Sequence, residues 1–131
     1  MRLKGLNCIV TGGSSGIGAA TVKRFVEEGA QVLIADIDID AANSFANEMG
    51  SSVDAIKCDV RIESDVKAVS EHAYKIWGKV DVLVNNAGSE LNQTYDKTTL
   101  EEWDRVLDTD LKGPWLMCKY IVPGMVDAGS G

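Results

Sequence analysis

Short apolar runs alternate along the chain with longer segments in which apolar residues recur every three or four positions. A short buried run is typical of a strand in a parallel sheet, and the longer period is typical of an amphipathic helix. The pattern predicts strands over residues 6–10, 31–35, 53–58 and 80–84. It predicts helices over residues 18–28, 38–49 and 62–77, and a long helical stretch over residues 99–126.

The long helical stretch carries two local signals. Thr98 or Thr99, each with a glutamate three residues later, forms a capping box that opens the helix. Gly113 and Pro114 predict a bend inside it. The tryptophans of the chain, including Trp103, fall at helical positions and are interpreted as packing residues.

The order of elements predicts the fold class. Strictly alternating strands and helices favour an α/β fold, a doubly wound parallel sheet of the Rossmann type with helices on both faces. One domain over residues 1–131 accounts for the whole pattern. A sheet of this kind usually carries about six strands, and only four are predicted, so we expect an incomplete domain.

Composition narrows the class of protein. The chain has 131 residues with a formal net charge of −7, and an acidic surface repels nucleic acids and anionic membranes. No apolar run approaches the roughly 18 residues of a membrane span, and no signal peptide is visible. Three cysteines far apart, without a CxxC pair, favour a reduced cytoplasmic protein with no metal site.

A glycine-rich turn follows the first predicted strand. The spacing is G-x-x-x-G-x-G, with Gly12 permitting a tight turn, Gly16 a close backbone approach to a ligand, and Gly18 the packing of helix on strand. The free N–H groups of a helix start bind a pyrophosphate, and Ser14 and Ser15 add hydroxyl donors. The alternative is a flexible glycine turn with no ligand.

Asp36 ends the second strand, 18 residues after Gly18. A carboxylate there accepts hydrogen bonds from the adenosine ribose of a dinucleotide and repels the extra phosphate of NADP. Ile37 follows it instead of an arginine, so the pattern favours NAD. The alternative is a solvated aspartate that caps the next helix.

Several motifs in register carry a resemblance to a known family. They are Thr11-Gly12-x-x-x-Gly16-x-Gly18, Asp36, Cys58-Asp59-Val60, Asn85-Asn86-Ala87-Gly88 and the helical segment 103–113. With these motifs the whole chain resembles the short-chain dehydrogenase/reductase family. The resemblance implies an NAD site made by the residues Gly12, Ser14, Ser15, Gly16, Ile17, Gly18, Asp36, Ile37, Asp59, Val60, Asn86, Ala87 and Gly88.

The resemblance also implies roles for particular residues. Asp59 and Val60 would hold the adenine ring, with the carboxylate meeting the adenine amino group, and the turn at Asn86 would lie beside the cofactor. Both positions fall at carboxyl ends of predicted parallel strands, where such sheets bind ligands. The alternative for the turn is an ordinary polar connection.

Family members transfer hydride between the nicotinamide and an alcohol or carbonyl carbon. The resemblance implies a tyrosine base in a Tyr-x-x-x-Lys pair, a serine and a relay asparagine. None of Tyr74, Tyr95 and Tyr120 has a lysine four residues later, and Asp110 stands at the position of the asparagine. Asp110 is therefore a doubtful catalytic candidate, and a helix-surface carboxylate is its alternative role.

Three interpretations remain open at this point. The chain is the N-terminal, cofactor-binding part of an NAD-dependent alcohol dehydrogenase or carbonyl reductase, inactive without the missing catalytic groups. Alternatively it is a non-catalytic NAD-binding module, or an unstable truncated product. In the family the long helix joins subunits, so the resemblance also implies a homo-oligomer formed through residues 99–126.

Overall fold

A computed structural model describes all 131 residues. Four parallel strands form one sheet in the order β3-β2-β1-β4. The strands are β1 (Asn7–Thr11), β2 (Gln31–Asp36), β3 (Val53–Lys57) and β4 (Val82–Val84). The helices are α1 (Gly16–Glu27), α2 (Ile39–Met49), α3 (Glu63–Trp77), α4 (Leu100–Leu107) and α5 (Gly113–Ala128), with a π-helical turn at Asp108–Lys112 between the last two.

The helices cover both faces of the sheet, as a doubly wound fold requires. Alternate residues of β1 point to opposite faces, so Ile9 belongs to a core with α3 and α5, and Val10 to a core with α1 and α2. Met117 of α5 and Val22 of α1 are fully buried in these two cores. The predicted fold class is confirmed: the sheet is parallel and the two central strands, β1 and β2, are buried on both faces.

β4 begins two residues later than the sequence predicts. The Asp81 carboxylate accepts a hydrogen bond from the backbone N–H of Asn7 at 2.9 Å. It also forms a hydrogen-bonded ion pair with Lys79 at 2.6 Å. Burial would raise the pKa of the Asp81 carboxyl, but these two hydrogen bonds outweigh it and lower the pKa. The strand ladder therefore starts only at Val82, which pairs with Cys8.

Local capping signals set the starts of two helices. The Asp38 carboxylate accepts the N–H of Ala41 at the start of α2, and Thr99 and Glu102 form the predicted capping box of α4. None of the helices combines the length and the hydrophobicity that a membrane span requires.

The long helical stretch is interrupted before the glycine and proline that were expected to bend it. The π-helical turn at Asp108–Lys112 lies between α4 and α5, and Pro114 occupies the first turn of α5. A Cβ on Gly113 would lie 2.7 Å from Cγ2 of Val60. Gly113 therefore serves close packing of α5 against the segment after β3, and the irregularity of the long helical stretch lies in the π-helical turn that directly precedes it.

The amino terminus is tied to the end of α1 through Glu28. Arg2 donates its backbone N–H to the Glu28 carboxylate at 2.8 Å, and the guanidinium groups of Arg2 and Arg24 pair with the same carboxylate. The backbone hydrogen bond from Arg2 is the main cause that lowers the pKa of Glu28 to about 2. Burial opposes this shift, and the two arginine charges reinforce it.

Candidate functional site

A cavity of about 750 Å³ opens at the carboxyl ends of the strands. It lies where the strand order reverses, because β1 has β2 on one side and β4 on the other. The structure brings most of the predicted site residues to its wall: Gly12, Ser15, Gly16, Ile17, Asp36, Ile37, Asp59, Val60, Asn86, Ala87, Gly88 and Asp110. Ser14 and Gly18 are the two predicted residues that do not line it.

The glycine loop leads directly into α1, and its glycines have distinct roles. Gly12 and Gly16 have positive φ angles of 61° and 53°, in the left-handed region that favours glycine. A Cβ on Gly18 would lie 2.0 Å from the carbonyl oxygen of Gly12, so Gly18 serves packing. A Cβ on Gly16 would meet nothing within 4 Å, which leaves the backbone there open to the cavity.

The start of α1 has free hydrogen-bond donors. Ser15 is the N-cap residue, yet no side chain caps the helix and its first turn contains no acidic residue. The first intrahelical bond is donated by Ala19 to the carbonyl of Ser15, so the N–H groups of Gly16, Ile17 and Gly18 have no partner in the chain. This arrangement is suited to an anion, since these donors and the helix dipole act in the same direction.

Thr11 and Asn86 join the glycine loop to the turn after β4. The Thr11 hydroxyl oxygen accepts the N–H groups of Asn86 and Ala87, each at 3.0 Å. The Asn86 side-chain amide donates to the carbonyls of Thr11 and Gly12, at 3.0 and 3.1 Å. The sequence analysis named Thr11 only as the first residue of the glycine motif and missed the role of its hydroxyl, which is buried at the centre of this network.

The carboxylate of Asp36 lies at the cavity wall with only 7% of the residue exposed. Its Oδ2 accepts the N–H of Ser14 at 3.0 Å and the Ser14 hydroxyl at 2.7 Å, and its Oδ1 accepts the N–H of Asp38 at 3.0 Å. No lysine or arginine forms an ion pair with it. The Ser14 hydroxyl, which the sequence analysis expected to donate to a pyrophosphate, donates to Asp36 in this structure.

Asp59 is engaged by an arginine that the sequence analysis did not single out. Arg61 donates from its side chain to both carboxylate oxygens of Asp59, at 2.6–3.2 Å, and also donates its backbone N–H. The side-chain hydrogen bonds from Arg61 are the main cause of the lowered pKa of Asp59. Arg61 lines the cavity, and its position two residues after Asp59 was the signal that could have found it.

Asp110 lies in the π-helical turn and holds the segment after β4. Its Oδ1 accepts the N–H of Ser89 at 2.7 Å. Arg105 binds the hydroxyl of the same serine and donates to the carbonyl of Glu90 at 3.3 Å. Asp110 and Arg105 both line the cavity. Arg105 belongs to the motif segment 103–113, but its contact with Ser89 could not be predicted, because only the fold brings the two residues together.

Comparison with known proteins identifies the family. A family model described as short chain dehydrogenase matches residues 7–131, almost the whole chain. The chain belongs to the short chain dehydrogenase family. The predicted resemblance is confirmed.

Two curated relatives of this short chain dehydrogenase are similar along nearly its whole length. An uncharacterized oxidoreductase of Thermotoga maritima is 39% identical over 132 residues, covering 98% of this chain and 52% of that protein. Momilactone A synthase of Oryza sativa subsp. japonica is 39% identical, covering 99% of this chain and 48% of that protein. The chain spans about half the length of the curated relatives it matches.

A solved structure has the same fold as this short chain dehydrogenase chain. It is the crystal structure of 3-ketoacyl-(acyl-carrier-protein) reductase from Brucella melitensis complexed with NADH, with a TM-score of 0.93 and 38% sequence identity. The similarity covers 97% of this chain and 53% of that one. The chain therefore belongs to a family of oxidoreductases and has a Rossmann-type nucleotide-binding fold.

The tyrosines of this short chain dehydrogenase lie away from the cavity. The Tyr74 hydroxyl donates to the carbonyl of Ile121 at 2.7 Å, and burial raises its pKa. Tyr120 bonds Glu63 on the outer surface, and Tyr95 is exposed. The segment that contains Tyr95 does not line the cavity.

The remaining chemical candidates also lie outside the cavity. His72 pairs with Asp54 at 3.0 Å on the surface of α3. Cys118 is exposed, with a contact to the Asn85 side chain at 3.7 Å. Trp103 and Trp115 are 56% and 59% exposed, so the interpretation of Trp103 as a packing residue was wrong for this chain.

Proposed function

We propose that this chain is the NAD-binding part of an oxidoreductase that moves hydride between the nicotinamide and an alcohol or carbonyl carbon. The observation that carries the proposal is the open start of α1 at the cavity wall, where the N–H groups of Gly16 and Ile17 have no partner in the chain. A dinucleotide needs this combination of anion donors and a glycine backbone that it can approach closely.

The residues present fit a dinucleotide. The N–H groups of Gly16 and Ile17 would hold the pyrophosphate, since no side chain competes for them and Gly16 has no Cβ in the way. The exposed hydroxyl of Ser15 is free to add a donor. When bound, the nicotinamide supplies the hydride-accepting or hydride-donating carbon.

Asp36 supports NAD over NADP. Its carboxylate carries a negative charge at the wall of the cavity with no cation paired to it. A 2′-phosphate on the adenosine ribose would meet that charge at short range, whereas a ribose hydroxyl can donate to it. The Arg61 guanidinium pairs with Asp59 and forms no ion pair with Asp36.

This polypeptide alone is proposed to be inactive in hydride transfer. No tyrosine of the chain lines the cavity, and none is followed by a lysine four residues later. A tyrosine with its ordinary pKa near 10 is a poor base at neutral pH unless a nearby positive charge stabilises the phenolate. The purified chain should reduce no NAD with simple alcohols, and measurable turnover would contradict this part of the proposal.

Asp110 is proposed to act through position and not through proton transfer. Its carboxylate already accepts the N–H of Ser89, and an ionised carboxylate has no proton to donate. It therefore holds the segment after β4 against the π-helical turn, next to the end of the cavity formed by Gly88 and Ser89.

The exposed apolar side chains of the long helical stretch support a homo-oligomer. Trp103, Leu107, Leu111 and Trp115 are each at least 40% exposed, and clusters of this kind mark protein contacts. A second copy of the chain is the proposed partner. Sedimentation of the wild type and of Trp115→Glu tests it. A dimer should be lost in the variant, and a monomeric wild type would contradict it.

Titration with both coenzymes tests the main proposal. Purified chain is titrated with NAD and with NADP while tryptophan fluorescence and heat release are followed. NAD should bind with a dissociation constant at least about tenfold lower than that of NADP, a difference of about 1.4 kcal/mol. Equal affinities would remove Asp36 from its role, and no binding of either coenzyme would overturn the function.

A further inference from the structure

Ser14 and Asp36 form a closed pair between the glycine loop and the end of β2. Both the backbone N–H and the hydroxyl of Ser14 donate to the same oxygen, Oδ2, at 3.0 and 2.7 Å. The other oxygen, Oδ1, accepts the N–H of Asp38 at 3.0 Å. The carboxylate is therefore held from two sides, by a loop before it and by the chain after it.

These contacts determine what the carboxylate still offers to a ligand. An ionised carboxylate has about four acceptor positions, two on each oxygen. Ser14 fills both positions on Oδ2, and Asp38 fills one on Oδ1, so one position on Oδ1 remains for a ligand hydroxyl. Because Asp36 is 93% buried by the surrounding residues and has no paired cation, these three donors are what stabilise its charge.

We infer that Ser14 is a specificity-determining residue that acts through Asp36. By fixing Oδ2, the Ser14 hydroxyl turns Oδ1 toward the cavity, so that the carboxylate accepts one ribose hydroxyl and repels a 2′-phosphate. Ser14 is thus a positioning residue for coenzyme discrimination and not a phosphate ligand. This inference rests on the proposed function, since it deals with how the same site selects its dinucleotide.

The neighbouring residue Ser15 differs from Ser14 in its exposure and its hydrogen bonding. Ser15 is exposed, lines the cavity, and its hydroxyl has no hydrogen-bond partner in the chain. Ser14 is half-buried and does not line the cavity. Two identical side chains, adjacent in sequence, therefore face different partners. Ser15 is free to touch a ligand directly, whereas Ser14 reaches it only through the carboxylate.

The test measures the ratio of dissociation constants for NADP and NAD in the full chain. Ser14→Ala keeps the backbone N–H but loses the hydroxyl, a charge-assisted hydrogen bond, so the ratio should fall by about tenfold. Ser14→Thr retains a hydroxyl and should restore most of the ratio. Ser15→Ala is the matched control. It should weaken both coenzymes alike and leave the ratio unchanged.

Two outcomes of the binding experiment would overturn the inference alone. One is a wild type that prefers NAD while Ser14→Ala keeps the same ratio. The other is an equal drop in the ratio for Ser15→Ala, which would assign the effect to the loop in general. A wild type that binds neither coenzyme would overturn the proposed function together with the inference.

A second measurement does not depend on any coenzyme. Thermal unfolding of Ser14→Ala, Asp36→Ala and the double variant forms a double-mutant cycle. If Ser14 holds the carboxylate, the double variant should lose less thermal stability than the sum of the two single losses. Strict additivity would show that the hydroxyl and the carboxylate do not interact, and it would overturn the inference.

Discussion

Thr11 and Asn86 hold each other through reciprocal hydrogen bonds. The Thr11 hydroxyl oxygen accepts the Asn86 N–H, and the Asn86 side-chain amide donates to the Thr11 carbonyl, both at 3.0 Å. Thr11 ends β1, Asn86 follows the neighbouring strand β4, and the two lie 75 positions apart in sequence. The loop that begins at Gly12 and the turn that ends at Gly88 therefore form one connected wall of the cavity.

The first prediction concerns the buried hydroxyl of this pair. Thr11→Val keeps the shape of the side chain but leaves the N–H groups of Asn86 and Ala87 without an acceptor. The free energy of unfolding should fall by about 1–3 kcal/mol, measured by urea denaturation. Thr21→Val is the control, because the Thr21 hydroxyl donates only to the Ile17 carbonyl on a helix surface. An equal loss in both variants would contradict the role of Thr11.

The second prediction separates backbone strain from ligand access. Gly16 and Gly50 have φ angles of 53° and 89°, and a Cβ on either would meet no atom within 4 Å. Alanine at each should cost about 1–2 kcal/mol of stability. Only Gly16→Ala should weaken NAD binding, by at least about tenfold, since only Gly16 lines the cavity. Calorimetric titration checks it, and unchanged binding by Gly16→Ala would place the pyrophosphate elsewhere.

The third prediction reverses the coenzyme preference through charge. Asp36→Arg places a cation where the carboxylate stood, so NAD should bind more weakly and NADP more tightly. The ratio of their dissociation constants should move on the order of a hundredfold toward NADP. Asp40→Arg makes the same change of net charge at an exposed position outside the cavity. If both variants shift the ratio equally, the effect comes from the overall charge and Asp36 has no special role.

The fourth prediction is a pH dependence centred on Glu28. Its pKa is about 2 in the folded chain, against 4.5 for an unperturbed glutamate. As pH falls, the unfolded chain takes up this proton first, so the stabilisation is full above pH 4.5 and is lost between 4.5 and 2. Glu28→Gln should therefore lower the midpoint of thermal unfolding at pH 7, and the difference from wild type should shrink as pH falls through that window. A constant difference would contradict the assignment.

The sequence predicted the element order and the fold because both depend on local patterns. The apolar runs around Ile9 and Leu33 are buried on both faces of the sheet. Such runs can be recognised from the sequence alone. The capping box at Thr99 was also readable, since its partner lies three residues away. Structural features that depend on residues a few positions apart can therefore be predicted from the sequence alone.

The contacts that were missed join residues far apart in sequence. The π-helical turn at Asp108–Lys112 has no sequence signature, and it precedes the glycine that was expected to bend the helix. The bond from Ser14 to Asp36 crosses 22 positions and that from Arg105 to Ser89 crosses 16. Which donor reaches which acceptor depends on how the strands and helices pack, and this is fixed only in the folded chain.

The uncapped start of α1 links the stability of the folded chain to the binding of a ligand. A side-chain cap stabilises a helix by about 1 kcal/mol, and α1 lacks the caps that Asp38 and Thr99 give to α2 and α4. If the proposed function is right, the pyrophosphate of the bound coenzyme accepts the free N–H groups at the start of α1 and so takes the place of a side-chain cap. By mass action, a coenzyme that binds the folded chain raises the folded fraction as its concentration rises.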